Sequence, residues 1–131
     1  RRTCFESFLA ADGITGYHEL NFSPSREWTL YEFRGYRDGG PVADEYRAPE
    51  IDVRTGTRHL ELDARISLDR LSPAHASADL RVGLAAVVEA NDGTMSYWAI
   101  QHPAGKPDFH HADGFALWLG PPGSDTNSPT R

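Results

Sequence analysis

Apolar and polar positions alternate with a period of two through most of the chain, and no long window carries the three-to-four-residue spacing of an amphipathic helix. The alternation predicts strands over residues 3–10, 16–22, 28–36, 51–54, 59–67, 80–90, 95–102 and 114–119. Turn chemistry sits at the joints: Asp12-Gly13, Thr55-Gly56 and "NDG" at Asn91 to Gly93, the last between two strong strands and so a hairpin. In "LELDARI" the residues Leu60, Leu62, Ala64 and Ile66 share one face, and Glu61, Asp63 and Arg65 the other, as in a sheet wetted on one side. Along residues 80–90, Leu80, Val82, Leu84, Ala86 and Val88 share a face; the opposite one carries Arg81, Gly83, Ala85, Val87 and Glu89. The small residues there leave room for a ligand or for close approach of another layer. Residues 68–77 can hold a single helical turn ended before Pro73.

Short antiparallel strands without crossover helices predict an all-β fold, an antiparallel β-sandwich of the jelly-roll or immunoglobulin-like kind. The 131 residues fit one domain with one core, assigned to residues 1–120, followed by a Pro-, Ser- and Thr-rich tail, 121–131, expected to be disordered. The chain opens without a methionine and the alternation is under way by Cys4, so one or more further N-terminal strands are expected upstream.

Charge narrows the partners. With 13 basic against 19 acidic residues the net charge is −6 and the basic residues are scattered, which is not the footprint of a nucleic-acid binder. No apolar run reaches the roughly 20 residues of a membrane helix. The single cysteine, Cys4, has no second thiol for an internal disulfide, and the corresponding expectation is a reducing, cytoplasmic setting.

Candidate chemistry concentrates in "SYWAIQHPAGKPDFHHADGF", Ser96 to Phe115. His102, Asp108, His110 and His111 are competent metal ligands, but their spacing matches no zinc pattern, and adjacent histidines on a strand point apart. No nucleophile motif is present: there is no GxSxG and no HExxH, and "AGKPD" lacks the first glycine and the hydroxyl residue of a phosphate-binding loop. An enzyme is therefore not expected. Tyr97 and Trp98 alternate on a strand, so one ring faces the core and the other offers a plane suited to a sugar ring. Lys106, Asp108, His110 and His111 then form a polar rim on a loop stiffened by two prolines. In "NFSPS", Asn21 and Ser23 are placed to tie up backbone donors at a turn.

The blocks "TCFESFL", "GYHELNFSPSREWTLYEFRGYRDG" and "LRVGLAAVVEANDGTMSYWAIQHPAGKPDFHHADGFAL" resemble the bacterial DOMON-like domain family, itself similar to family 9 carbohydrate-binding modules. The resemblance runs from about Thr3 to Leu119 and implies a β-sandwich that holds a sugar or haem at a concave sheet or sandwich edge. It implies an aromatic clamp in which Trp98 pairs with Trp28 or Tyr31. The expected function is a non-catalytic domain binding a carbohydrate or another small polar ligand through Trp98, Tyr97, His102, Lys106, Asp108, His110, His111, Trp28 and Tyr31, with no cofactor. Two alternatives stand beside it: a haem- or metal-binding domain, with Met95 the only thioether, and a structural domain that forms homodimers through its sheet edges.

Overall fold

The fold is described from a computed structural model, for residues 3–106 and 108–120. The tail at 121–131 lies outside the described residues. Strands β1 (Cys4–Ala11), β2 (Tyr17–Phe22), β3 (Trp28–Gly35) and β4 (Asp38–Val42) form a meander. A 3-10 turn, Glu45–Arg47, then leads to the hairpin β5 (Glu50–Thr55) and β6 (Leu60–Arg65). Two short helical turns follow, α1 (Leu68–Leu71) and α2 (Pro73–Ser77), then β7 (Leu80–Glu89), β8 (Met95–Ala99), a second 3-10 turn at Ala112–Gly114 and β9 (Leu117–Leu119). The large sheet has the order β4-β3-β2-β1-β7-β8, with β9 also paired to β7, and every pairing is antiparallel. This is an all-β sandwich of unequal layers, a seven-stranded sheet against a two-stranded hairpin and its helical turns.

The core lies between those layers. Leu9, Leu20, Leu30, Leu80 and Val82 of the large sheet meet Leu71 of α1, with Ile51, Leu62, Ile66 and Leu68 packed around them. Because Leu62 and Ile66 turn inward, the other face of β6 is left to charge: Arg54 on β5 reaches Asp63 at 2.9 Å and Glu61 at 3.3 Å. Leu20 is fully buried, and truncating such a leucine to alanine costs about 2–5 kcal/mol. Leu84, on the same face of β7, is left 43% exposed, so the inner layer covers only part of the large sheet.

The turns form where their chemistry predicts. Gly93 adopts a left-handed φ of +87° in the β7–β8 hairpin, where its N–H bonds to the Ala90 carbonyl at 2.9 Å. Local features differ from the sequence reading: the strands expected at 95–102 and 114–119 shorten to Met95–Ala99 and Leu117–Leu119, with Gly114 in the second 3-10 turn. Strand β4 was hidden by Gly39, Gly40 and Pro41; Pro41 lacks an N–H, and an edge strand is where a sheet tolerates it. Pro73 does end α1, but it also opens α2 as a first-turn residue, with Ser72 Oγ accepting from the Ala74 N–H at 3.3 Å. No described helix is long and apolar enough to cross a membrane.

Candidate functional site

The outer face of the large sheet carries a second set of alternating residues: Glu6 and Phe8 on β1, Tyr17, Glu19 and Asn21 on β2, Tyr31 and Phe33 on β3. Glu6 pairs with Asn21, Phe8 with Glu19, and Glu19 with Tyr31, so the register brings them into one patch. The segment between β8 and β9 folds back over part of it. Phe115 stacks on Phe8 with centroids 5.5 Å apart, and the His110 ring meets Phe8 edge-on at 5.0 Å and Phe33 at 5.1 Å. The small face of β7 admits this layer: a Cβ on Gly83 would lie 2.9 Å from Phe115 Cδ1. What the segment leaves open is a cleft of about 350 Å3, lined by Cys4, Glu6, Glu19, Asn21, Tyr31, Phe33, Arg37 and His110.

Burial decides the charge state of this cleft. Glu6 is 7% and Glu19 5% exposed. Burial, then the hydrogen bond and negative charge of Glu6, push the Glu19 carboxyl up to about 8, against smaller opposing effects of Asn21 and Arg37. At neutral pH Glu19 therefore keeps its proton and donates it to Glu6. The Asn21 Oδ1 is buried and finds no hydrogen-bond partner among the described residues.

His110 is the roof. Burial and then the Arg37 charge lower its basicity, with Asp108 offsetting part of the effect, so the ring is biased toward its neutral form. Its Nδ1 lies 2.8 Å from the Tyr17 hydroxyl, which accepts the Arg37 N–H at 3.0 Å. The set is satisfied when Tyr17 donates to Nδ1, leaving Nε2–H facing Glu19 Oε1 at 3.4 Å. Arg37 sits at the tip of the β3–β4 hairpin with φ +54°, a left-handed conformation rare for a residue with a Cβ. Its Nη2 donates to Asp108 Oδ1 at 2.9 Å and its Nε to the Tyr36 hydroxyl at 3.2 Å, while Tyr36 also donates to Asp108. Burial alone would raise the Asp108 carboxyl, but these hydrogen bonds and the Arg37 charge together hold it low.

The residues singled out in the sequence are divided between the two faces. His110 and Tyr31 line the cleft, and Asp108 braces it through Arg37. Tyr97 shares the outer face but contacts Phe109, at 6.3 Å, and His102 also lies against Phe109, at 5.9 Å. Lys106 is exposed on the connecting loop. His111 caps the second 3-10 turn, its Nδ1 accepting from the Asp113 N–H at 3.1 Å. Of the two pairings expected for Trp98, the one with Tyr31 is excluded, because Trp98 and Trp28 both lie on the face of the sheet opposite Tyr31. Trp98 pairs with Ala86 on the opposite face, 63% exposed with its Nε1 donating to Ser96 Oγ at 3.0 Å, and Trp28 packs against the inner core. Alternation forces this: Trp98 is one residue from Tyr97, and Trp28 is an odd number of residues from Tyr31.

Glu6, Glu19, Phe33 and Arg37 were not foreseen. A signal existed: Glu6 interrupts the otherwise apolar β1 face of Cys4, Phe8 and Ala10, and a charge there has to be paired or used. Asn21, read as a turn lock, lines the cleft instead, and Ser23 with Ser25 holds the turn at 2.6 Å. Among the described residues, no three His, Cys, Asp or Glu side chains are gathered so as to hold a metal ion. A larger hollow, about 750 Å3, lies by β4 and includes His18, Glu32 and Arg47. Its polar groups are already joined: His75 Nε2 to His18 Nδ1 at 2.8 Å, His18 Nε2 to Glu32 at 3.3 Å, and Arg47 to the same Glu32 carboxylate. Comparison with protein-family models, curated proteins and solved structures finds no match to this chain.

Proposed function

We propose that this domain is a non-catalytic binding module for a carbohydrate or similar small polar ligand, received in the outer-face cleft between Tyr31 and His110. The observation that carries the reading is the convergence of buried polar groups, Glu6, Glu19 and Asn21, beside an aromatic stack in one open hollow. Tyr31 stacks on Phe33 at 5.9 Å and 4°, and Phe33 on Tyr17 at 4.8 Å. Tyr31 ends that row and lines the cleft, where a ring face suits the apolar side of a sugar and the carboxyl and amide groups suit its hydroxyls.

The same carboxyls argue for binding over hydrolysis. Glycosidases hold two carboxyls about 5–9.5 Å apart with the bond to be cleaved between them. Glu6 and Glu19 are hydrogen-bonded to each other, which leaves no such space.

Titration calorimetry and NMR with simple saccharides test the reading. Tyr31→Ala is expected to weaken binding about tenfold, the loss of roughly one stacking contact, and Trp98→Ala to leave it unchanged. Binding that is lost with Trp98→Ala and kept with Tyr31→Ala would move the site to the other face of the sheet and overturn the proposal.

A further inference from the structure

Carboxyl and amide oxygens converge in the cleft. Glu6 and Glu19 supply four carboxyl oxygens and Asn21 a buried carbonyl oxygen with no partner among the described residues. Three sets of donors around it are engaged: the Asn21 amide with Glu19, Arg37 with Asp108 and Tyr36, and His110 Nε2 facing Glu19. A neutral sugar hydroxyl brings one donor and also one oxygen that needs a donor. An ammonium group brings three donors, no acceptor and the opposite charge to a carboxylate pair. Aromatic faces beside a carboxylate pair also favour a cation, through the ring quadrupole.

We infer that the ligand of this cleft is an amino sugar, seated with its ammonium between Glu6, Glu19 and Asn21 and its ring against Tyr31. The inference rests on the binding reading above and narrows it to a ligand class. The ammonium does not add to the proton now shared by the two carboxyls; it replaces it. On binding, the Glu19 O–H bond breaks, the proton leaves to solvent, and both carboxylates accept from the ammonium. No bond of the ligand is made or broken.

Among the described residues, Cys4 from β1 and Tyr31 from β3 line the cleft with this pair. His110 comes from the segment packed above it, Arg37 from the β3–β4 hairpin, and Tyr17 from β2; Asp108 stands behind Arg37. Since Glu19 holds its proton up to about pH 8, binding at neutral pH must release close to one proton. Affinity then rises with pH from about 6, by up to tenfold per unit, until the ligand amine loses its own proton.

Three sugars with one skeleton separate the possibilities: glucosamine, glucose and N-acetylglucosamine, titrated calorimetrically in buffers of different ionisation enthalpy so that proton release is counted directly. The expected result is that glucosamine binds at least about tenfold tighter than the other two, with proton release, as befits hydrogen bonds to charged groups. Glu19→Gln is expected to lose that preference and the proton release. Glucose equal to or tighter than glucosamine would overturn the amino-sugar inference and leave the binding reading intact. No binding of any of the three to a protein with an unchanged NMR spectrum would overturn both. Unchanged glucosamine binding by Glu19→Gln would overturn the placement of the ammonium. Methylamine that competes as well as glucosamine would show that the ring contributes nothing and would overturn the sugar class.

Discussion

Glu19 makes the domain less stable as the solution becomes more alkaline, and the size of the effect follows from where the side chain sits. Unfolded, the carboxyl titrates near its ordinary 4.5; folded, it holds its proton to about 8. The folded state therefore binds more protons in that window, and linkage requires stability to fall as pH rises through it. At about 1.4 kcal/mol per pH unit, the whole window is worth on the order of 5 kcal/mol. The lower part is shared with histidines. His18, His75 and His110 are less basic than the ordinary 6.5, and these groups act with the opposite sign below that value. Above pH 6.5 the carboxyl acts without them, and its share up to about pH 8 is on the order of 2 kcal/mol. Urea denaturation followed by tryptophan fluorescence reads this as a fall of about 1 M in the midpoint, for a slope near 2 kcal/mol per M. Glu19→Gln keeps a donor toward Glu6 but cannot ionise, so its midpoint is expected to stay level across the same interval and to exceed the native one at the alkaline end. A native midpoint that is flat or rising from pH 6.5 to 8, or a variant that falls in parallel with it, would refute the reasoning.

Two further expectations concern the scaffold. His75 is 3% exposed and is pushed down to about 4 by burial and then by the neighbouring His18, so its contribution is complete above pH 6.5 and is lost as pH falls toward 4, on the order of 3 kcal/mol. His75→Leu is therefore expected to gain stability relative to the native chain as the solution is acidified over that range, and a difference independent of pH in denaturation midpoints would contradict it. Gly83→Ala drives a methyl to 2.9 Å from Phe115 Cδ1 and 3.1 Å from the Gly114 carbonyl oxygen, which is expected to cost about 1–3 kcal/mol by thermal denaturation and to shift the His110 resonances; an unchanged midpoint would deny the close approach.

Burial links these expectations to binding. A pair of carboxyls under an aromatic roof is an unfavourable arrangement in the absence of a cation, and proteins keep such groups where they are used. The left-handed Arg37 at the cleft margin is of the same kind: its backbone conformation is held by the Tyr17 hydroxyl and its side chain by Asp108. Asp108 and His110 belong to the loop that sequence reading had marked as functional. The structure brings these two to the cleft margin and leaves Trp98 on the opposite face from Tyr31.

Period-two alternation and turn residues are local signals, decided by neighbours a few positions away, and they determined the all-β class, the β7–β8 hairpin at Gly93 and the inward set Leu62 and Ile66. The same locality hid β4, because Gly39, Gly40 and Pro41 have no strand preference of their own and pair only because β3 offers them an edge. Tertiary structure alone decided that β7 returns beside β1, that Glu6 and Glu19 meet under one roof, and that His110 crosses 93 positions of sequence to reach Tyr17. Strand order and the cost of removing a carboxyl from water are collective properties: each depends on which distant segments exclude solvent from the same few side chains, and no window of the sequence contains them.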